Sequence, residues 1–184
     1  MTSAPSTSTR LHTILAERWS PRSFDPTVVV DDGQIQALLE AARWSPSGRN
    51  SQPWRFIVTR RGDEAFDRLL ATLGPNNQAW AGDAGLLILA LAELCHEDGS
   101  PRRHAFYDVG QAVAHLSAQA GAEGLHVRQM GGFNVAAAAA TFAVAEGIEP
   151  VVVVAVGRAA ATAEIPERTR LSLDDIVLPP GLPA

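Results

Sequence analysis

The chain has 184 residues, enough for one well-buried core and short for two domains. Apolar residues make up 46% and charged residues 19%, a globular composition, and a formal net charge of −5 argues against a general nucleic-acid or anionic-membrane surface. All 15 basic residues are Arg, so a P-loop lysine, a lysine Schiff base and a Ser-x-x-Lys pair are excluded, and any cation must be a guanidinium. Cys95 is the single cysteine, which rules out an intramolecular disulfide and a cysteine zinc site and fits a reducing cytoplasm. Residues 1–10 have no apolar signal-peptide core, and no apolar run is long enough to span a membrane.

Residues 1–9 are rich in Ser, Thr and Pro and read as a flexible segment. A short helix is expected over 9–19, with Leu11, Ile14 and Leu15 on one face. Asp31 and Asp32 can cap a helix over 34–43, where Ile35, Leu38, Leu39 and Ala42 recur at helical spacing. A polar loop over 45–53 precedes a strand over 54–59. A helix follows over 64–73, a break at 74–77, and a buried strand over 85–92. Residues 95–102 read as a mobile excursion, with Cys95 packing as a small hydrophobe. A long helix over 105–120 should bury Phe106, Val109, Val113 and Leu116, and a tight turn spans 130–133. An Ala-rich helix over 135–145 should stop at Gly147, and the β-branched run 150–157 reads as a central strand. A loop over 158–170, a short element over 173–177 and a tail over 179–184 close the chain. About three strands for so many apolar helices make a thin sheet, a shortage that an oligomer sharing its core would solve.

The usual catalytic constellations are missing. The five histidines include no i, i+4 pair and no H-E-x-x-H, so no metal role is expected. There is no G-x-S-x-G, and no G-x-G-x-x-G follows a strand. A binding protein remains, or an enzyme whose cofactor does the chemistry. Three segments stand out against that background. Arg18, Ser20 and Arg22 alternate, so an extended segment would aim them one way, where they could hold an anion. The donor-rich loop Ser45-Pro46-Ser47-Gly48-Arg49-Asn50-Ser51-Gln52-Pro53-Trp54 lies directly before a strand, although Trp54 itself reads as core. Arg168 and Arg170 offer a further anion contact after the last strand.

Together these segments resemble the nitroreductase family of FMN enzymes. The family's R-x-S-x-[RK]-x-F pattern is similar to Arg18-Trp19-Ser20-Pro21-Arg22-Ser23-Phe24, and its A-P-S-x-x-N-x-Q-P-W loop to residues 45–54, with Ser45 in place of Ala. Asn77-Gln78, Tyr107-Asp108-Val109-Gly110, Gly131-Gly132-Phe133 and Arg170 ahead of Leu173-Asp174-Asp175 extend the resemblance over about 10–178, read as one FMN-binding domain. It implies an α+β, three-layer fold with a central, mostly antiparallel sheet flanked by helices, in an intertwined homodimer. It implies that Arg18, Ser20 and Arg170, assisted by Arg168, hold the FMN phosphate, that Trp19 between them belongs to the cofactor-binding set, and that Arg22 approaches the N1/O2 edge of the ring. Pro46, Ser47, Gly48 and Asn50 would contact flavin from the partner subunit, Asn77 would bond the pyrimidine edge, and the amides of Gly131 and Gly132 would face N5 or O4. Trp80 stands where some members place a basic residue against flavin, and 95–103 is where many relatives carry a lid. The implied activity is ping-pong transfer of hydride from NADH or NADPH, through FMN, to small electron-poor acceptors such as nitroaromatics and quinones. Dehalogenation, azoline oxidation and flavin fragmentation occur on the same fold, and a flavin storage or sensor protein or a cofactor-free interaction protein also stays open.

Overall fold

The computed structural model describes residues 11–180; the expected N-terminal segment, the start of the first helix and the end of the tail lie outside them. Within them α1 runs over Thr13–Glu17. Asp31 caps α2, Asp32–Arg43, in a reciprocal box: its side chain accepts from the Gln34 amide, and the Gln34 side chain accepts from the Asp31 amide. The remaining elements are β1 (Trp54–Arg60), α3 (Glu64–Ala71), α4 (Pro75–Ala81), β2 (Leu86–Glu93), α5 (Ala105–Ala122), β3 (His126–Met130), α6 (Val135–Thr141), β4 (Ile148–Gly157) and α7 (Leu173–Ile176).

The strands form one antiparallel sheet in the order β1-β2-β4-β3. The two apolar runs, β2 and β4, take the middle, as β-branched and aliphatic strands buried on both faces should. The edge strands carry the polar residues Arg55, Arg60, Arg128 and Gln129. Pro150, which cannot donate to the ladder, sits in β4 where its register with β2 slips between Ala90 and Leu91.

Alternation along β2 divides the core in two. Leu86, Ile88 and Ala90 face α2 and α5, meeting Ile35, Leu38, Val109, Val113 and Leu116. Leu87, Leu89 and Leu91 face the other layer, meeting Phe24, Phe66, Leu69, Trp80 and Ala138. The expected three-layer α+β arrangement follows from that division. Gly157, at the end of β4, admits close approach: a Cβ there would lie 3.0 Å from Phe24 Cδ1 and 3.1 Å from the Gly85 nitrogen.

Several expectations need correction. The sheet has four strands, not three; β3 buries only Val127 and Met130, too few apolar positions to announce a strand. The expected break at 74–77 starts a helix, because Gly74 is its N-cap and Pro75 takes the first turn, where a missing amide hydrogen is harmless. The Ala-rich helix stops at Thr141, with Ala143 at φ 47°, before Gly147 is reached. Phe106 is 48% exposed at the start of α5. Cys95 is exposed, not packed. The stretch around it closes on itself as a turn, with the His96 amide donating to the Ser100 carbonyl at 2.8 Å and Arg102 Nε donating to the Cys95 carbonyl at 2.9 Å.

Candidate functional site

The chain leaves α1 in extended backbone, with Arg18 at φ −60°, ψ 125°. Side chains then alternate. Trp19 turns inward, 8% exposed, with its ring edge-on to His126 at 5.4 Å between centroids. Arg18 and Ser20 share the other side, and Arg18 Nη1 donates to Ser20 Oγ at 3.2 Å. Both line a cavity of about 440 Å³ with Ala114 and Ala118 of α5 and Val127 and Gln129 of β3. The small side chains of α5 keep this space open.

Arg168 reaches the same place from 150 residues away, donating through Nη1 to the Arg18 carbonyl at 2.9 Å. Arg18 is held below the ordinary guanidinium value, first by partial burial, then by the positive charges of Arg170 and Arg168. The three guanidiniums therefore feel one another. None forms an ion pair with a carboxylate among the described residues, whereas Arg43, Arg55, Arg60, Arg68 and Arg102 all do. Like charges gathered without a counter-charge repel unless an anion joins them, and guanidinium forks suit phosphate oxygens.

A cationic pair adjoins this group of three. Arg128 of β3 donates through Nη1 to the Ser20 carbonyl at 2.6 Å, and its guanidinium lies 5.5 Å from the centre of the Trp80 ring. Burial, and then the charge of Arg22, pushes Arg128 below its ordinary value. Neither residue is ion-paired among the described residues. Sequence reading missed Arg128 because one Arg in a five-residue edge strand carries no local signal. On the same side of the sheet, Asn77 Nδ2 donates to the Gly132 carbonyl at 3.3 Å, as does the Gly74 amide at 3.0 Å. Gly131 and Gly132 are exposed, and their amides donate no hydrogen bond among the described residues. Phe133 packs on the second core layer.

The loop 45–53 lies elsewhere. Arg49, Asn50 and Gln52 hold φ of 53°, 57° and 45°, a concentration of left-handed backbone that costs energy and clusters at functional sites. The turn is tied by the Gln52 amide to Ser47 Oγ at 3.0 Å and by the Gly48 amide to Asp108 Oδ2 at 3.1 Å. Asp108 is a buried carboxylate in the first turn of α5; the sequence placed it only at a helix start. Ser117, which lines the cavity beside Arg18, lies nine residues further along α5, about 14 Å at the helical rise. One chain thus brings together Arg18, Ser20, Arg168 and Arg170, adds Arg22 through Arg128, and joins Asn77 to Gly132. It leaves Pro46, Ser47, Gly48 and Asn50 at the other end of α5.

An α+β protein with a four-stranded antiparallel sheet between helical layers, and guanidiniums along one sheet edge that have no carboxylate partner among the described residues, is the class these features define. The sequence profile of the Nitroreductase family matches residues 15–74 and 63–158. The chain belongs to that family. Over 111 residues it is 40% identical to an uncharacterized 15.4 kDa protein of Mycolicibacterium smegmatis, covering 56% of this chain and 74% of that one. Over 55 residues it is 46% identical to the major NAD(P)H-flavin oxidoreductase of Aliivibrio fischeri, covering 30% of this chain and only 25% of that one. A crystal structure of an oxidoreductase containing FMN superposes with a TM-score of 0.90 at 26% identity, over 98% of each chain.

Proposed function

We propose that this chain is an FMN-dependent NAD(P)H oxidoreductase that reduces electron-poor small molecules, nitroaromatics and quinones among them, by a ping-pong reaction. The observation that carries this reading is the gathering of Arg18, Arg168 and Arg170, without a carboxylate among them, beside the Ser20 hydroxyl and an open cavity. That donor set fits a phosphate dianion. FMN, when bound, supplies the redox chemistry by taking an electron pair from NADH or NADPH and passing it to the acceptor.

The chain's own residues hold and orient that group. Arg18, Ser20, Arg168 and Arg170 would bind its phosphate, with Trp19 as the buried wall behind them. Arg22 would stand at the pyrimidine edge of the ring, Asn77 would bond that edge, and the free amides of Gly131 and Gly132 would donate to it. No side-chain acid or base is required at the reacting atoms, in keeping with the missing catalytic dyad. A homodimer is part of the proposal. Pro46, Ser47, Gly48 and Asn50 would complete the site from the partner, since they lie far from the cradle of their own chain. Exposed Leu171, Leu173, Ile176, Val177 and Leu178 give the chain's last stretch an apolar surface suited to a second copy. The whole of 10–178 would then act as one FMN-binding unit.

The test is to purify the protein without added flavin, record its visible spectrum, and add NADH or NADPH anaerobically. Loss of flavin absorbance near ~450 nm is expected, and the faster donor identifies the preferred nicotinamide. Bound flavin that neither donor reduces would point to storage or sensing instead. A colourless protein that takes up no FMN would refute the reading.

A further inference from the structure

We propose that Arg128, seated on the Trp80 ring and tied to the Ser20 carbonyl, is the second permanent cation of the redox site and, with Arg22, sets the reduction potential of the bound flavin. The inference rests on the functional reading above and assigns a role to a residue outside the motifs that support it.

Four observations carry it. Arg128 has no carboxylate partner among the described residues, so its charge is not spent on a surface ion pair. Its guanidinium is doubly fixed, by the 2.6 Å hydrogen bond to the Ser20 carbonyl and by the Trp80 ring 5.5 Å away. Trp80 is itself immobilised, 9% exposed and packed on Phe24 at 6.1 Å, so the platform is rigid. Ser20 lies midway between Arg18 and Arg22 in the extended segment, so Arg128 reaches the strip joining the three-arginine cluster to Arg22. Arg22 lies close enough that its charge, after burial, helps hold Arg128 below its ordinary value, so the two guanidiniums share one region.

A cation held there has a specific effect. Uptake of one electron pair and one proton leaves bound flavin with one more negative charge on its ring than before. A fixed guanidinium in a partly dry setting stabilises that charge more than it stabilises the neutral oxidised ring, and thereby raises the potential. Placing like charges side by side costs stability in the empty protein, and the reduced ligand offsets that cost. Arg suits this position better than any other cation, because it stays charged and its planar group can stack and donate together.

The experiment compares wild type with Arg128→Met, which keeps the stem on Trp80 and removes the charge, and Arg128→Lys, which restores it. FMN affinity is read by titrating oxidised flavin into apo protein, and the midpoint potential by anaerobic reductive titration against a dye. The expected result for Arg128→Met is oxidised-FMN affinity within about threefold of wild type and a roughly tenfold less favourable reduction equilibrium, equal to about 30 mV for a two-electron couple. Arg128→Lys should recover most of that shift. If Arg128→Met does not fold, Trp80→Phe replaces it, since a smaller ring holds the cation less firmly and should lower the potential in the same direction. An unchanged midpoint in Arg128→Met overturns the inference, as does a Lys variant as low as the Met variant. Wild-type protein that binds no FMN overturns the functional reading itself, a different failure from a wild type that binds flavin whose potential ignores residue 128.

Discussion

Replacing Arg18 by alanine should separate a ligand-binding arginine from a structural one, because the two roles predict opposite balances. Within the chain the Arg18 guanidinium donates to Ser20 and is repelled by Arg170 and Arg168. Exposed contacts of this kind contribute under about 1 kcal/mol, and the two terms oppose, so apo stability should stay within about 0.5 kcal/mol of wild type. For a chain of this length that is a melting shift of about 2 °C or less. The bound state differs. A charge-assisted contact to an anion contributes about 2 kcal/mol, and its loss should weaken FMN about 30-fold. FMN at about 100 times the wild-type dissociation constant stabilises the protein by about 2.7 kcal/mol; after a 30-fold loss the same concentration contributes only about 0.9 kcal/mol. Scanning calorimetry of both proteins, with and without FMN, reads all four quantities. Arg18→Ala with an undiminished FMN shift would refute the cradle, and an apo protein weakened by more than about 2 kcal/mol would show that Arg18 holds the fold instead.

Ser45 Oγ is buried with no hydrogen-bond partner among the described residues, so Ser45→Ala should stabilise the protein by about 1 kcal/mol, seen as a melting point raised by about 2–4 °C. At Gly85 an added Cβ would lie 2.8 Å from Val30 Cγ2, in a place where the core is full; Gly85→Ala should cost about 1–3 kcal/mol in urea unfolding. His126 is held below its ordinary value of 6.5, first by burial and then by Arg158, while its Nδ1 accepts from the Ala159 amide at 3.3 Å. The unfolded chain then binds the proton more readily than the folded one. The stability due to neutral His126 is present above about pH 6.5 and is lost as pH falls through the lower folded value. Urea midpoints from pH 7.5 to 5.5 should fall for wild type and fall less for His126→Gln.

The helices and central strands were largely legible because their signals are local. The Asp31 cap, the helical spacing of Ile35, Leu38 and Ala42, and the aliphatic runs of β2 and β4 all lie within a dozen residues. Elements whose signal is weak or double-edged were misread. Gly74-Pro75 serves equally as a stop and a start, and β3 is a short edge strand with two buried side chains. Cys95, read as packed after an apolar run, lies just past the end of β2 in an exposed turn.

The site divides in the same way. That all its cations are arginines, that Arg18 and Ser20 share a side of an extended segment, and that the 45–53 loop is rich in donors can be read from the residues alone. These depend on residue identity and on the period of the backbone. The fold supplies the contact of Arg168 with the Arg18 carbonyl, the seat of Arg128 on Trp80 beside Ser20, and the anchoring of the strained loop on Asp108 at the opposite end of α5. Those meetings join residues from 48 to 150 positions apart, on separate elements. They depend on how the sheet orders its strands and how the chain's last stretch crosses its edge, and pairing at that range leaves no periodic trace in a single sequence.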